Sequence, residues 1–432
     1  MRCAPHGAWP RALRRISARP PPTRRRGPTS SSCAMPSIPY ARPRNPPCPK
    51  LSASLWDSTA VTAIDRRSFL GALGAAVAGT FYPGQGFTAE GRPLFVSACF
   101  AEDGKNAAVA VFSLDGEMLF NTRLPERGHD IAIRPGAADL VVFARRPGNW
   151  AAIIDRVTGT VRRVVTSPEG RHFYGHGVFS ADGGLLYATE NSVATGEGLL
   201  GIYDAAGDYR RVGEMPSFGI GPHDLAYLPG HRHIVVANGG IRTNPETGRE
   251  ILNKDRMEPS LAIVDPAGGS VLLKVDLGPD LRGLSIRHLA VSPRGETVFG
   301  CQFEGDETGM PALVGTLTPD GRTRFLEMPE DALDSMRNYV GSVALDASGR
   351  IAVATSPIGN MMAFWDLESG RFLGRRRMSD VCGVAPTPSE GIFLATSGNA
   401  GVRLAPVGQN DLKPLGGTEL GRWVWDNHVR RV

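Results

Sequence analysis

From residue 94 onward the chain is a succession of short apolar runs separated by turn residues. Leu140-Val141-Val142-Phe143, Leu185-Leu186-Tyr187-Ala188-Thr189 and Ile234-Val235-Val236-Ala237 each stand between polar stretches that carry glycine or proline. Runs of this length, rich in β-branched and aromatic residues and bounded by turn formers, predict short strands rather than helices. A third run follows each of them and often ends in aspartate. Examples are Ala152-Ile153-Ile154-Asp155, Leu200-Gly201-Ile202-Tyr203-Asp204, Leu261-Ala262-Ile263-Val264-Asp265 and Ala363-Phe364-Trp365-Asp366. A glycine turn then leads to a fourth strand, such as Val161-Arg162-Arg163-Val164-Val165. Helical signals are almost absent; Pro329 to Met336 is the one fair stretch, and it is short.

This four-strand unit repeats. Six segments align at its first strand: Gly128-His129-Asp130-Ile131-Ala132-Ile133, Gly175-His176-Gly177-Val178-Phe179-Ser180, Pro222-His223-Asp224-Leu225-Ala226-Tyr227, Arg287-His288-Leu289-Ala290-Val291-Ser292, Gly341-Ser342-Val343-Ala344-Leu345-Asp346 and Cys382-Gly383-Val384-Ala385-Pro386-Thr387. Their second positions are 47, 47, 65, 54 and 41 residues apart. One such unit cannot bury its own faces, so the units must stack as propeller blades. A seventh unit is split. Leu94-Phe95-Val96-Ser97, Ala108-Val109-Ala110-Val111-Phe112 and Met118-Leu119-Phe120 supply three strands, and His428-Val429-Arg430-Arg431-Val432 supplies the remaining one. The expected fold is all-β: a single seven-bladed β-propeller over residues 92–432, with N- and C-terminal strands closing one blade. Closure removes the free sheet edges, and a monomer is expected.

Charge divides the chain. Residues 1–60 hold 11 Lys+Arg against one acidic residue, Asp57; this +10 leaves −5 for the rest of a chain whose total is +5. A basic chain often signals nucleic acid, but here the basicity sits in one Pro/Arg/Ser-rich leader, so no nucleic-acid partner is expected. The leader (Pro20-Pro21-Pro22, Arg24-Arg25-Arg26, Ser30-Ser31-Ser32) reads as disordered. It also reads as a gene start set too far upstream, with Val61 as the true beginning. Residues 61–79 then form a twin-arginine signal peptide: Arg66 and Arg67, polar Ser68, Phe69 and Leu70, and the small apolar run Gly71 to Gly79. Export of a folded protein to a bacterial periplasm is the expectation. No stretch reaches the ~20 apolar residues of a membrane span, so no transmembrane segment is expected after signal removal. Cys99, Cys301 and Cys382 are too scattered for a disulfide framework.

The chemistry concentrates in histidine. His129, His176, His223 and His288 share one repeat position, the start of the innermost strand, and His428 fits it in the closing blade. Ser342 and Gly383 occupy it in the other two. Innermost strands line the axial channel, so five imidazoles would ring one mouth. Arg145 and Arg146, Glu190, Asn191, Asn238, Gln302, Glu304, Ser356 and Ser397 fall in loops that open on the same face. Neutral imidazole suits zinc, copper, iron and nickel, and Asp130, Asp224 or Glu190 would fix the ring tautomers. The opposing reading is structural: each histidine would pair inside its own blade, often with the aspartate that ends the third strand. A hydrolase or lactonase-like enzyme is another reading, with Glu190, Glu304 and Asn238 holding a hard metal and a water; a protein-docking scaffold is a third. His172, His231 and His233 lie off the repeat position and read as surface residues. The insertion from Gly239 to Glu258 reads either as a lid over the mouth or as a passive loop.

Several segments resemble a bacterial periplasmic propeller family, the domain of unknown function numbered 1513. They are His176-Gly177-Val178-Phe179-Ser180 with Ala188-Thr189-Glu190-Asn191, Gly219-Ile220-Gly221-Pro222-His223, Val236-Ala237-Asn238-Gly239-Gly240-Ile241, Met257-Glu258-Pro259-Ser260-Leu261 and Trp425-Asp426-Asn427-His428. The match spans about residues 90–428. The resemblance implies twin-arginine export, genetic neighbours of the imelysin and dihaem oxidoreductase types as partners, and a role in periplasmic iron acquisition. The resulting expectation is a metal-handling propeller for iron or copper, with a histidine ring at the channel mouth.

Overall fold

The computed structural model describes residues 92–432 apart from 307, 417 and 418. The leader and the signal segment, including Arg66, Arg67, Phe69 and Leu70, lie outside the described residues. Seven four-stranded antiparallel sheets form the ring of a seven-bladed β-propeller. Blades 1 to 6 run in chain order over residues 128–165, 171–220, 222–276, 284–325, 342–377 and 381–414. In blade 7 the C-terminal strand Val424–Arg431 is innermost and pairs with Leu94–Phe100, followed by Ala107–Ser113 and Met118–Arg123. The two chain ends thus lock one blade, as the split seventh unit requires.

Burial follows strand position. The second strand of blade 1, Asp139–Ala144, and its third, Ala151–Asp155, are buried throughout. The outermost strand of blade 3, Ser270–Asp276, is largely exposed. An inner or middle strand packs on blades to both sides, which explains its unbroken apolar run. Packing between blades builds the core: Val235, Leu261, Ile286, Phe299, Val340 and Trp365 form one continuous cluster across blades 3, 4 and 5. Phe95, Phe112 and Trp425 join the two halves of blade 7, with ring centroids 5.9 and 5.0 Å apart. Truncating one of these aromatics to alanine would cost roughly 3–5 kcal/mol. The expected helix is present as Glu330–Ser335, between blades 4 and 5. Cys99, Cys301 and Cys382 are buried free thiols. No helix among the described residues is long and apolar enough to cross a membrane.

Candidate metal centre

The five repeat histidines come from five consecutive blades: His428 from blade 7, then His129, His176, His223 and His288 from blades 1 to 4. They do not all begin their strands. His129 and His223 stand second in theirs, but His176, His288 and His428 lie four or more residues in. What they share is a break in pairing. The register between first and second strand shifts between Gly128 and Ile131, Phe173 and Gly177, Pro222 and Asp224, and Ile286 and His288. In blade 7 it shifts between Trp425 and Val429. A bulge re-aims the side chain it carries and frees backbone groups from the ladder. At His428 the freed carbonyl accepts a 2.6 Å hydrogen bond from the Ser97 hydroxyl.

The bulges bring the imidazoles together. Ring centroids are 4.6 Å apart for His129 and His428, and 4.9 Å for His428 with His288 and for His288 with His223. His129 and His223 close this outer set at 5.9 Å. His176 lies 4.9, 4.8, 6.1 and 4.9 Å from His129, His223, His288 and His428, so it occupies the middle. It is also the deepest, at 0% exposure against 3–7% for the others. Its position depends on Gly175, whose φ is +101° and whose missing Cβ would lie 2.8 Å from Cδ2 of His129. Blade 6 has no room for a sixth ring: a Cβ on Gly383 would lie 2.7 Å from the backbone nitrogen of Val429.

Carboxylates and guanidiniums surround the rings. Nδ1 of His176 lies 3.1 Å from Asp130 and 3.3 Å from Asp224, without the alignment of a directed hydrogen bond. Asp130 also takes two 2.8 Å bonds from Arg430 of blade 7, and Asp224 accepts the backbone N–H of Leu225 and of Leu289. Asp426 bonds Arg127 and stands 3.6 Å from Arg145 and 3.8 Å from Nδ1 of His129. Burial pushes His129, His223, His288 and His428 well below the usual imidazole pKa, so they are neutral at pH 7. Burial acts on His176 too, but Asp224 and Asp130 outweigh it and lift that imidazole to about 9. Burial, compounded by nearby guanidiniums, draws Arg145 and Arg146 down to about 10.

Each of the five rings keeps a buried nitrogen with no hydrogen-bond partner: Nδ1 of His129, His176, His223 and His288, and Nε2 of His428. Nδ1 of His176 and of His129 face carboxylates, whereas Nδ1 of His223 and His288 and Nε2 of His428 have neither hydrogen bond nor ion pair. Buried polar atoms are normally paired, so these three nitrogens are open to a ligand. Pairing with the third-strand aspartates of the same blade is not made. The aspartates ending the third strands, Asp155, Asp204, Asp265 and Asp366, accept backbone N–H groups of their own turns instead. Three sets of side chains hold their donor atoms within 4.8 Å of one another and could take a metal ion. They are His129, His176 and His223; His176, His288 and His428; and Asp130, His176 and Asp224. The 3.2 Å between Nε2 of His176 and Nε2 of His129 matches the ~3.3 Å span of two imidazoles on one tetrahedral ion.

A family model described as "Protein of unknown function (DUF1513)" matches residues 110–432. The chain belongs to the DUF1513 family. None of the curated proteins compared matches it in sequence. Among solved structures it is similar to the Kuenenia stuttgartiensis hydrazine synthase, at 14% identity and a TM-score of 0.54, over 72% of this chain and 95% of that one. At that identity the likeness is one of fold.

The other site residues expected in this DUF1513 chain divide into two groups. Arg145 and Gln302 line an open cavity above the rings, together with His129, His223 and His288. Glu190, Asn191, Asn238 and Glu304 do not line it. Glu190 is fully buried inside blade 2, held by the Tyr203 hydroxyl at 2.6 Å and by Arg211 at 2.8 Å. Asn238 bonds Ser217 twice, Asn191 donates to the Thr243 carbonyl, and Glu304 pairs with Arg287 at 3.2 Å. His172 is not a surface residue: it is buried, with ring nitrogens 2.8 Å from the carbonyls of Phe173 and Pro147. The insertion borders the mouth, its Thr243 hydroxyl 3.0 Å from the Tyr174 hydroxyl and its Arg249 lining the cavity. Sequence reasoning assigned no role to Asp426, Arg430, Arg249 or Arg287. Arg287 and Asp426 adjoin the repeat position, and that proximity was the available signal.

Proposed function

We propose that this propeller is a periplasmic metal-handling protein that holds a transition-metal ion, iron or copper, among the imidazoles of His129, His176, His223, His288 and His428. One observation carries the reading: five buried imidazoles from five blades converge, neighbouring ring centroids 4.6–6.1 Å apart, and three of them keep a buried ring nitrogen without any partner. Four of them are neutral at pH 7, the form that ligates. Asp130 and Asp224 stand where carboxylates orient a ligating ring. The Arg66-Arg67-Ser68-Phe69-Leu70 segment supports export across a bacterial inner membrane. An imelysin-type or dihaem periplasmic protein is the proposed recipient or source of the ion. The oxygen-donor, lactonase-like reading has less support, because Glu190 and Asn238 are tied into their own surroundings and Glu304 into an ion pair.

The test is metal content after purification from the periplasm, for the natural chain and for the His176→Ala/His223→Ala double variant. About one iron or copper ion per chain is expected in the former and near-complete loss in the latter. Equal loading of the two proteins would reject the site.

A further inference from the structure

The cavity above the imidazoles has a chemistry of its own. It is an open cleft at the mouth of the channel, lined by side chains from blades 1, 3 and 4 among others. Its wall carries four guanidiniums, Arg145, Arg146, Arg249 and Arg287, with the rings of Tyr174 and Tyr339 between them. They come from different parts of the ring: Arg145 and Arg146 from blade 1, Arg249 from the insertion of blade 3, and Arg287 from blade 4. Positive charge therefore reaches the cavity wall from three blades.

Neutralisation inside the wall is incomplete. Asp426 stands 3.6 Å from Arg145 but also serves Arg127, and Glu304 meets Arg287 at 3.2 Å. Among the described residues no carboxylate lies within ion-pair range of Arg146 or Arg249. Arg146 stacks on Tyr174, 4.4 Å from the ring centroid, and touches the Thr243 hydroxyl at 3.4 Å. Nε of Arg287, on a side chain only 8% exposed, has no hydrogen-bond partner. Nη1 of Arg145, on a side chain 14% exposed, has no hydrogen bond and only the 3.6 Å ion pair with Asp426. Unpaired donors on buried cations are costly, and a planar guanidinium fork fits the two oxygens of a carboxylate.

We propose that this cavity is a binding site for a small anion carrying at least two carboxylate groups. Guanidiniums spread over three blades suit separated negative charges better than one compact tetrahedral anion. The insertion supplies one of the four, so it acts as part of the recognition surface. The inference does not rest on the metal reading, since the guanidiniums would attract such an anion with or without an ion among the histidines.

The experiment is isothermal titration of the full chain, stripped of metal by chelator and dialysed, with tricarballylate, citrate, succinate, acetate and inorganic phosphate. Tricarballylate and citrate are expected to bind tightest and acetate weakest, with affinity falling as salt is raised. Arg146→Gln and Arg249→Ala should each weaken tricarballylate binding by about tenfold or more. Arg249 is exposed on the insertion, so its replacement leaves the core untouched. Absence of binding by the polycarboxylates, phosphate binding tighter than tricarballylate, or unchanged affinity in both variants would each overturn the proposal. Because the titration uses metal-free protein, its failure is separate from any failure of metal loading in the double histidine variant.

Discussion

Nε2 of His176 faces Nε2 of His129 across 3.2 Å, both rings buried at the propeller axis. Two facing nitrogens can share only one hydrogen. Asp130 and Asp224 on the far side of His176 make it the better place for positive charge, and its imidazole is lifted to about 9 while that of His129 is depressed. At pH 7 His176 is thus the donor and His129 the acceptor. An ion entering between them must displace that hydrogen.

Metal uptake should therefore expel about one proton per ion at pH 7. Titrating the metal-free protein with ferrous or cupric ion in two buffers of different ionisation enthalpy would measure it. In His176→Gln the release should vanish, because the remaining imidazoles are already neutral. Uptake with no proton released by the natural chain would mean that His176 is not displaced.

The same groups set the pH dependence of folding without metal. The unfolded His176 has its ordinary value of 6.5 and the folded one about 9, so its contribution is full below about 6.5 and is lost as pH rises through 9. His129, His223, His288 and His428 act in the opposite sense. The unfolded chain protonates them below about 6.5 while the native state resists, so stability drops as pH falls past that point. Urea midpoints measured from about pH 5 to about pH 10 should peak between these limits. His176→Gln should flatten the alkaline fall and leave the acid one. A midpoint that keeps rising above about pH 9 would contradict the assignment of charge to His176.

The ring was readable because a strand has a fixed period and a propeller a fixed axis. His129, His176, His223, His288 and His428 occupy one register position, and the fold brings that position to one channel. The depth of His176 was not readable, since it depends on a bulge and on the positive φ of Gly175. Nor were the ion pairs that clasp the rings: Arg127 with Asp426 and Arg430 with Asp130 join residues 299 and 300 positions apart. Glu190 misled for a related reason. It was expected in a loop at the mouth but lies inside the second strand, Leu185–Ser192, where Tyr203 and Arg211 of its own blade claim both oxygens.

Gly175 can be tested against a neighbouring-blade control. Gly175→Ala places a methyl 2.8 Å from the His129 ring on a backbone at φ +101°. The backbone strain alone is worth roughly 1–3 kcal/mol, and the ring must also move. Gly230→Ala suffers comparable strain at φ +85° but meets no atom within 4 Å. Both variants should therefore lose stability, and only Gly175→Ala should also lose metal affinity, by about tenfold or more. Thermal melts and metal titrations on the pair would show it. Equal metal affinity in the two would remove Gly175 from the architecture of the site.

Arg430 links the closure of the ring to its chemistry. It lies on the C-terminal strand and donates two 2.8 Å bonds to Asp130 of blade 1, which in turn stands 3.1 Å from Nδ1 of His176 as its ion-pair partner. Arg430→Met removes one of the two cations that neutralise a carboxylate only 2% exposed. Breaking a buried pair typically costs roughly 3–5 kcal/mol. The Arg430 side chain is 34% exposed and His176 remains beside Asp130, so the loss should fall at or below the low end of that range. Asp130→Asn in the same chain should recover part of it, giving a coupling of about 1 kcal/mol or more in a double-mutant cycle. With Arg430 gone, Asp130 acts on His176 alone, so the His176 imidazole should titrate higher than in the natural chain. Additive stabilities together with an unmoved His176 titration, read by NMR of the labelled ring, would uncouple closure from the metal centre.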